Sequence, residues 1–218
     1  MLSTDFNILQ AVIWIVAIFL SIAFHEYAHG WMASILGDDT AERSGRLTLN
    51  PIAHIDLFGS ILLPLILVLT NSPFFFGWAK PVPYNPNNLR NPRIGGALVA
   101  AAGPGANFLI AIFAAVAYRI LGSAELTTSL QSGLNAVQFF GMLSLINISL
   151  AVFNLIPIPP LDGSKLLALV LPGPMQRAFD FLERVGPLVV FVVLIFAFNI
   201  LAPFVASIVF TIFRVFAG

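Results

Sequence analysis

The stretch that decides the fold is the apolar segment 8–36, which reads ILQAVIWIVAIFLSIAFHEYAHGWMASIL. Its second half contains the motif His25-Glu26-Tyr27-Ala28-His29, and Gly37 follows it as a helix-ending signal. Residues 8–24 carry no charge. The whole segment exceeds the about 20 residues that a helix needs to cross a bilayer. It therefore predicts a membrane helix with ionisable groups in its second half.

The spacing of the motif predicts a metal-dependent hydrolase. Two histidines four residues apart lie one helical turn apart on the same face, close enough to bind a single metal ion. Glu26, beside the first histidine, can accept a proton from a water molecule that the metal activates. Because the chain has only 3 histidines, composition alone would produce this pattern in roughly one such chain in a thousand. His25 and His29 are thus the predicted zinc ligands, and Glu26 is the predicted general base.

Composition sets the class of protein. The 218 residues are 59% hydrophobic and only 9% charged, with a mean hydropathy of +0.96, whereas soluble domains carry roughly 25% charged residues. The net charge is zero, which argues against a nucleic-acid partner, and the absence of cysteine excludes disulfides and thiolate zinc ligands. Residues 1–10 lack Lys and Arg, so a cleaved signal peptide is not expected. We expect one membrane-embedded domain over residues 1–218.

Five apolar stretches define the predicted architecture: 8–36, 57–70, 94–121, 134–153 and 185–213, the last interrupted by Pro203. The second is too short for a full crossing and contains Pro64, so it is predicted as a re-entrant segment. Residues 44–50 and 74–84 are predicted to form a small β-hairpin or loop near the active site, where an extended substrate could pair. The fold prediction is an all-α integral membrane protein with about four full transmembrane helices and an upper limit of six.

A catalytic zinc usually takes three protein ligands, so a third ligand must be found. Most other acids lie in predicted loops, where a solvated carboxylate is expected: Asp5, Asp38, Asp39, Glu42, Asp56, Glu125, Asp180 and Glu183. Asp162 differs, because it follows NLIPIPPL at 154–161 and no other charge occurs before Lys165. A carboxylate in such a setting needs a partner, and a metal ion is the strongest one. From the residues alone, Asp162 is a candidate ligand, and pairing with another group stays open.

The motifs together resemble a known family. The HExxH motif in a membrane helix, Gly103-x-x-x-Asn107, and Asn154-x-x-Pro157-x-x-x-Leu161-Asp162-Gly163 resemble the site-2 protease family, peptidase family M50, of intramembrane zinc metalloproteases. Residues 45–51 with His54-Ile55-Asp56, and FGWAKP at 76–81, resemble a compact prokaryotic subgroup without PDZ or CBS domains. The resemblance implies one Zn²⁺ held by His25, His29 and Asp162, with Glu26 as general base. It also implies a substrate that is a transmembrane or membrane-associated protein segment.

Sharing one zinc constrains the topology. His25 lies near the exit end of the first helix, so an even number of full crossings must separate residue 36 from residue 154. Segments 94–121 and 134–153 supply two, which again makes 57–70 re-entrant. Eight basic residues then fall on one face, against Arg119 and Arg214 on the other: Arg43, Arg46, Lys80, Arg90, Arg93, Lys165, Arg177 and Arg184. The positive-inside rule makes that face cytoplasmic, in a prokaryotic cell membrane with the N-terminus outside.

Three further residues are candidates for the catalytic site, each with a structural alternative. Asn154 could donate to the oxyanion, or could satisfy backbone groups at a helix end. Asn107 could line the site, or the Gly103/Asn107 face could simply permit close helix packing. His54 could support the site from the re-entrant loop, or could be a loop histidine bonded to Asp56 or the backbone.

Two other functions compete with proteolysis. In a membrane transporter, intramembrane His, Glu and Asp would carry protons or metal ions, but such proteins contain repeats and spread their charges over several helices. A non-catalytic relative would bind membrane proteins, but the His-Glu-His motif is intact here. Replacing Glu26 separates these alternatives from a protease.

Overall fold

The computed structural model describes residues 8–70, 77–123, 131–172, 175, 181 and 187–217, with side chains over 12–70, 77–122, 136–172, 175, 181 and 202–217. Within these ranges all regular structure is helical and no strand occurs. Short turns precede α3 and α4: a 3₁₀ turn at Pro51–His54, a π-helix at Leu57–Leu62 and a 3₁₀ turn at Pro86–Asn88. The α-helices are α1 Ile8–Ile35, α2 Thr40–Arg43, α3 Leu63–Leu69, α4 Pro92–Ser123, α5 Gln131–Asn154, α6 Asp162–Ala168 and α7 Pro187–Ala217.

The all-helical part of the fold prediction is confirmed for the described residues. Three described segments are long and apolar enough to cross a membrane: Val12–Ile35, Pro92–Gly122 and Ala136–Asn154. α7 is a further long helix whose backbone continues through Pro203, and its side chains are described only from Ala202 onward. The total of four crossings therefore stays a prediction.

Small residues bring the long helices together. α1 packs against α4 and α5, α4 against α5 and α6, and α5 against α7. Of the nineteen buried hydrophobic residues among the described side chains, twelve are alanines, and small residues at helix contacts let backbones approach closely in a bilayer. Large apolar side chains such as Phe113 and Phe204 face outward. This inside-out distribution fits lipid as the solvent.

The start of α4 lies close to the end of α1. The Arg90 N–H donates to the Leu36 carbonyl over 3.1 Å, two residues before Pro92 opens α4. Two long helices, α4 and α5, then lie between the end of α1 and Asp162. Two is an even number, as a metal ion shared between α1 and Asp162 requires.

The segment from Leu57 to Leu69 is too short for a full crossing, and Trp78 lies back near its start. Its six residues of π-helix and seven of α-helix extend roughly 20 Å, short of the about 30 Å of a bilayer core. Beyond residues 71–76, the Trp78 N–H donates to the Gly59 carbonyl over 3.2 Å, and Ser60 Oγ donates to the Trp78 carbonyl over 2.8 Å. Residues 74–76 of the predicted hairpin or loop segment lie outside the described residues.

The predicted β-hairpin is not confirmed. Residues 44–50 and 77–84 approach each other as loops, and Arg46 Nη2 donates to the Lys80 and Pro81 carbonyls over 2.7 and 3.3 Å. Pro81 and Pro83 have no backbone N–H, so this segment lacks two donors that a strand ladder needs. The Arg46 side chain therefore connects the two segments, where main-chain hydrogen bonds between strands were expected.

Candidate metal centre

Three side chains from two helices converge on one point. His25 and His29 lie one turn apart on α1, and Asp162 is the first residue of α6. The two Nε2 atoms are 3.0 Å apart, and Asp162 Oδ2 lies 3.3 Å from His25 Nε2 and 3.4 Å from His29 Nε2. The structure thus brings the three predicted ligands together.

The spacing of these atoms fits a zinc ion. Ligand atoms about 2.0–2.1 Å from a tetrahedral zinc lie about 3.3 Å from one another, which matches the three observed distances. Asp162 Oδ2 is buried and has no hydrogen-bond partner. Two facing Nε2 atoms at 3.0 Å can share one proton at most, so at least one of them presents a lone pair to the cluster.

The other ring nitrogens are held from α4. His29 Nδ1 donates to the Val99 carbonyl over 2.7 Å, which leaves Nε2 with a lone pair for a metal. His25 Nδ1 lies 3.2 Å from Nδ2 of Asn107, a fully buried residue whose Oδ1 has no partner. Turning this carboxamide over gives the His25 Nδ1–H a carbonyl acceptor. Asn107 therefore lies directly behind the first ligand.

A compact turn delivers Asp162. The Ile156 N–H donates to the Phe153 carbonyl over 3.1 Å, and the Leu161 N–H donates to the Ile158 carbonyl over 2.9 Å. Burial raises the pKa of the Asp162 carboxyl, but its contacts with the two histidines outweigh burial and hold the pKa below its ordinary value. The carboxylate is thus available in the charged form that binds a metal.

Glu26 is held by a main-chain donor from a distant loop. The Val82 N–H donates to Glu26 Oε2 over 2.8 Å. Glu26 follows His25 directly on α1, and the loop fixes one oxygen of its carboxylate.

Asn154 and His54 lie in local structural contacts. Asn154 Nδ2 donates to the Leu150 carbonyl over 3.0 Å. Asn154 thus satisfies a backbone group at a helix end, which was the structural alternative for this residue. His54 is buried, and its Nε2 donates to the Thr48 carbonyl over 2.8 Å, in agreement with a loop histidine bonded to the backbone. Among the described residues, neither has a hydrogen bond to the three converging side chains.

Asp38 is not the solvated loop acid that was expected. It is fully buried and accepts from the Asn85 N–H over 2.7 Å, from Asn88 Nδ2 over 2.8 Å, and from the N–H and hydroxyl of Thr40. Burial raises the pKa of Asp38, but these hydrogen bonds outweigh burial and hold the pKa below its ordinary value. Asp38 therefore ties the end of α1 to the loop that precedes α4.

Sequence reasoning missed the contact between Val82 and Glu26 and the role of Asp38. Both depend on contacts between residues about fifty positions apart, which no local pattern reveals. The pattern Pro81-Val82-Pro83 was a usable signal, because it leaves one N–H in three residues. Such a donor must find an acceptor when it is buried.

An HExxH motif whose two histidines converge with Asp162, in a chain with three described helices long and apolar enough to cross a membrane, is typical of a membrane metalloprotease. Sequence comparison agrees. The profile of peptidase family M50 matches residues 120–200, which include Asp162. The chain belongs to peptidase family M50, the site-2 protease family, and it is a zinc metalloendopeptidase.

Relatives support this assignment. The chain is 39% identical over 183 residues to YwhC of Bacillus subtilis, provisionally named a zinc metalloprotease, and the match covers 83% of this chain and 78% of YwhC. It is 32% identical over 178 residues to Rip2 of Mycolicibacterium smegmatis, which has the same provisional name, covering 81% of this chain and 64% of Rip2. Rip2 of Mycobacterium tuberculosis is 29% identical over 162 residues, covering 73% of this chain and 57% of Rip2. No solved structure matches the chain.

Proposed function

We propose that this protein is an intramembrane protease that hydrolyses peptide bonds of transmembrane or membrane-associated protein segments. In this proposal His25, His29 and Asp162 hold one zinc ion and Glu26 is the general base. The observation that carries the proposal is the set of three ligand atoms 3.0 to 3.4 Å apart, two of them on a helix long and apolar enough to cross a membrane.

The chain's own residues divide the work of hydrolysis. The chemistry that zinc supplies when bound is Lewis acidity, which activates water and polarises a peptide carbonyl. Glu26 takes the proton of the attacking water on its carboxylate and returns it to the leaving amine. Val99 and Asn107 orient the two imidazoles through Nδ1.

The remaining candidate residues have supporting or conditional roles in this proposal. Asn107 positions His25. Asn154 donates one Nδ2–H to the Leu150 carbonyl, and its second N–H is the donor proposed for a substrate oxyanion. His54 supports the loop that contacts Glu26, since its carbonyl accepts from the Lys80 N–H over 2.9 Å.

The substrate must be locally unwound before it reaches the zinc, because the carbonyls of an intact helix are hydrogen-bonded along the chain. An extended peptide would dock along the loops 44–50 and 77–84, which flank Glu26. This part of the proposal is supported by Val82, whose N–H already contacts the catalytic carboxylate.

The site is proposed to open toward the cytoplasmic face of a prokaryotic cell membrane, with residues 1–218 forming one domain. The support comes from the positive-inside rule. Six of the eight basic residues are described, and all lie in loops or helix ends: Arg43, Arg46, Lys80, Arg90, Arg93 and Lys165. Arg177 and Arg184 lie outside the described residues.

The test uses purified full-length protein in liposomes with a pooled library of single-span peptides, and reads cleavage by mass spectrometry. Glu26→Gln keeps the side chain's shape and removes the base, so we expect zinc content to persist and cleavage to fall about 10²- to 10⁴-fold. The matched control is Glu42→Gln, because Glu42 is an exposed acid on α2. Undiminished cleavage by the zinc-loaded Glu26→Gln protein would overturn the proposal.

A further inference from the structure

The tripeptide Pro81-Val82-Pro83 presents a single backbone donor to the catalytic carboxylate. Proline has no N–H, so Val82 supplies the only N–H between Lys80 and Tyr84, and it donates to Glu26 Oε2 over 2.8 Å. The prolines also restrict the residues that precede them to extended conformations. The segment therefore has few other ways to satisfy this buried donor.

Both ends of the tripeptide are fixed. On the N-terminal side, the Lys80 N–H donates to the His54 carbonyl over 2.9 Å, and Arg46 Nη2 donates to the Lys80 carbonyl over 2.7 Å. On the C-terminal side, the Asn85 N–H donates to Asp38 Oδ2 over 2.7 Å. Anchors on each side thus hold the Val82 N–H in place.

Gly30 provides the space that lets Val82 come so close to α1. Gly30 lies four residues after Glu26, on the same face of the helix. A Cβ atom at Gly30 would meet Val82 Cγ1 at 3.0 Å, Ala41 Cβ at 3.2 Å and Leu47 Cδ1 at 3.2 Å. The Val82 side chain is buried, so its packing against Gly30 fixes the height of the N–H above the glutamate.

We propose that the Val82 main-chain N–H is a positioning group for the general base. It holds Glu26 Oε2 and so leaves Oε1 to exchange a proton with water and with the leaving amine. The inference rests on the proposed function, because it assigns Glu26 the role of base. The same hydrogen bond also satisfies a buried backbone donor, and only kinetics separates that structural role from positioning.

The decisive variant removes the N–H and keeps the Val82 side chain. Nonsense suppression can replace Val82 by its α-hydroxy acid. This change replaces the Val82 N–H by an ester oxygen and keeps the side chain. Val82→Pro removes the same N–H by ordinary mutagenesis, and Val82→Ala keeps the N–H while trimming the side chain. All are assayed in liposomes on the single-span peptide that the wild-type protein cleaves fastest, with zinc content measured beside the kinetics.

We expect the ester and Val82→Pro proteins to keep their zinc and KM and to lose about 10²-fold in kcat. Val82→Ala keeps the N–H but loses part of its packing against Gly30, so its kcat should fall less than that of the ester protein. An ester protein with wild-type kcat would overturn the inference, and so would a rise in KM alone, which would put the N–H in substrate binding. If Val82→Pro loses zinc through misfolding, the ester protein decides. Failure of the proposed function is recognised separately, as cleavage by the Glu26→Gln protein.

Discussion

Gly103 of α4 lies directly against the imidazole of His29. A Cβ atom built at Gly103 would overlap His29 Nε2 and Cε1 and the Cε1 atom of His25. The helix backbone therefore passes in front of the ligand nitrogens at a position that has no side chain. The space in front of these nitrogens is the space that a metal ion and its remaining ligand need.

Gly103→Ala is expected to lose most of its bound zinc and its cleavage activity, because a methyl group would enter that space. Metal analysis of the purified protein measures the loss. Gly105→Ala is the matched control, since a Cβ there meets nothing within 4 Å and the residue lies on the same helix. Full zinc content in Gly103→Ala would show that the ligand set lies elsewhere.

Asn107→Ala should weaken zinc binding about 10- to 100-fold, because it removes the group that faces His25 Nδ1. Asn107→Asp keeps an acceptor at this position and should lose less. Competition with a chromogenic chelator compares both affinities with the wild type. Equal affinities for all three proteins would assign Asn107 to helix packing alone.

The separation along the chain between contacting residues decides which features the sequence could predict. His25, Glu26 and His29 are linked by helix geometry alone, so their spacing suffices. Asp162 was found because an isolated carboxylate among prolines and apolar residues demands a partner. The burial of Asp38 was missed because Asn85 and Asn88 supply its donors. The hairpin was expected from alternation in 44–50, whereas the pairing segment contains two prolines that cannot donate.

The depressed pKa of Asp38 predicts a specific loss of stability in acid. A carboxyl whose pKa is lower in the folded than in the unfolded state stabilises the fold above its ordinary pKa of about 3.9, and this stabilisation disappears as the pH falls through the folded value. The wild-type protein should therefore exceed Asp38→Asn in thermal stability at neutral pH, and the difference should shrink below about pH 4.

Thermal unfolding in detergent, followed by circular dichroism between pH 3 and 8, measures this difference. Asp39→Asn is the matched control, because Asp39 forms an exposed ion pair with Arg43 at 2.6 Å and such surface pairs contribute little. A difference in thermal stability between wild type and Asp38→Asn that stays constant down to pH 3 would contradict a lowered pKa of Asp38.

Gly163→Ala tests the delivery of the third ligand. A Cβ at Gly163 would overlap the Leu155 and Ile156 carbonyls, so α6 must move, and Asp162 with it. We expect lower zinc affinity than in Gly122→Ala, where a Cβ meets nothing within 4 Å. Isothermal titration of the metal-depleted proteins with zinc compares the two, and matching affinities would show that the position of α6 does not control the ligand.

The zinc K-edge X-ray absorption spectrum of the purified wild-type protein tests the central claim most directly. The account predicts one zinc per chain with two imidazole nitrogens at about 2.0–2.1 Å and carboxylate oxygen as a further protein ligand. Three imidazoles, which would require His54, or a single imidazole would contradict a centre built from His25, His29 and Asp162.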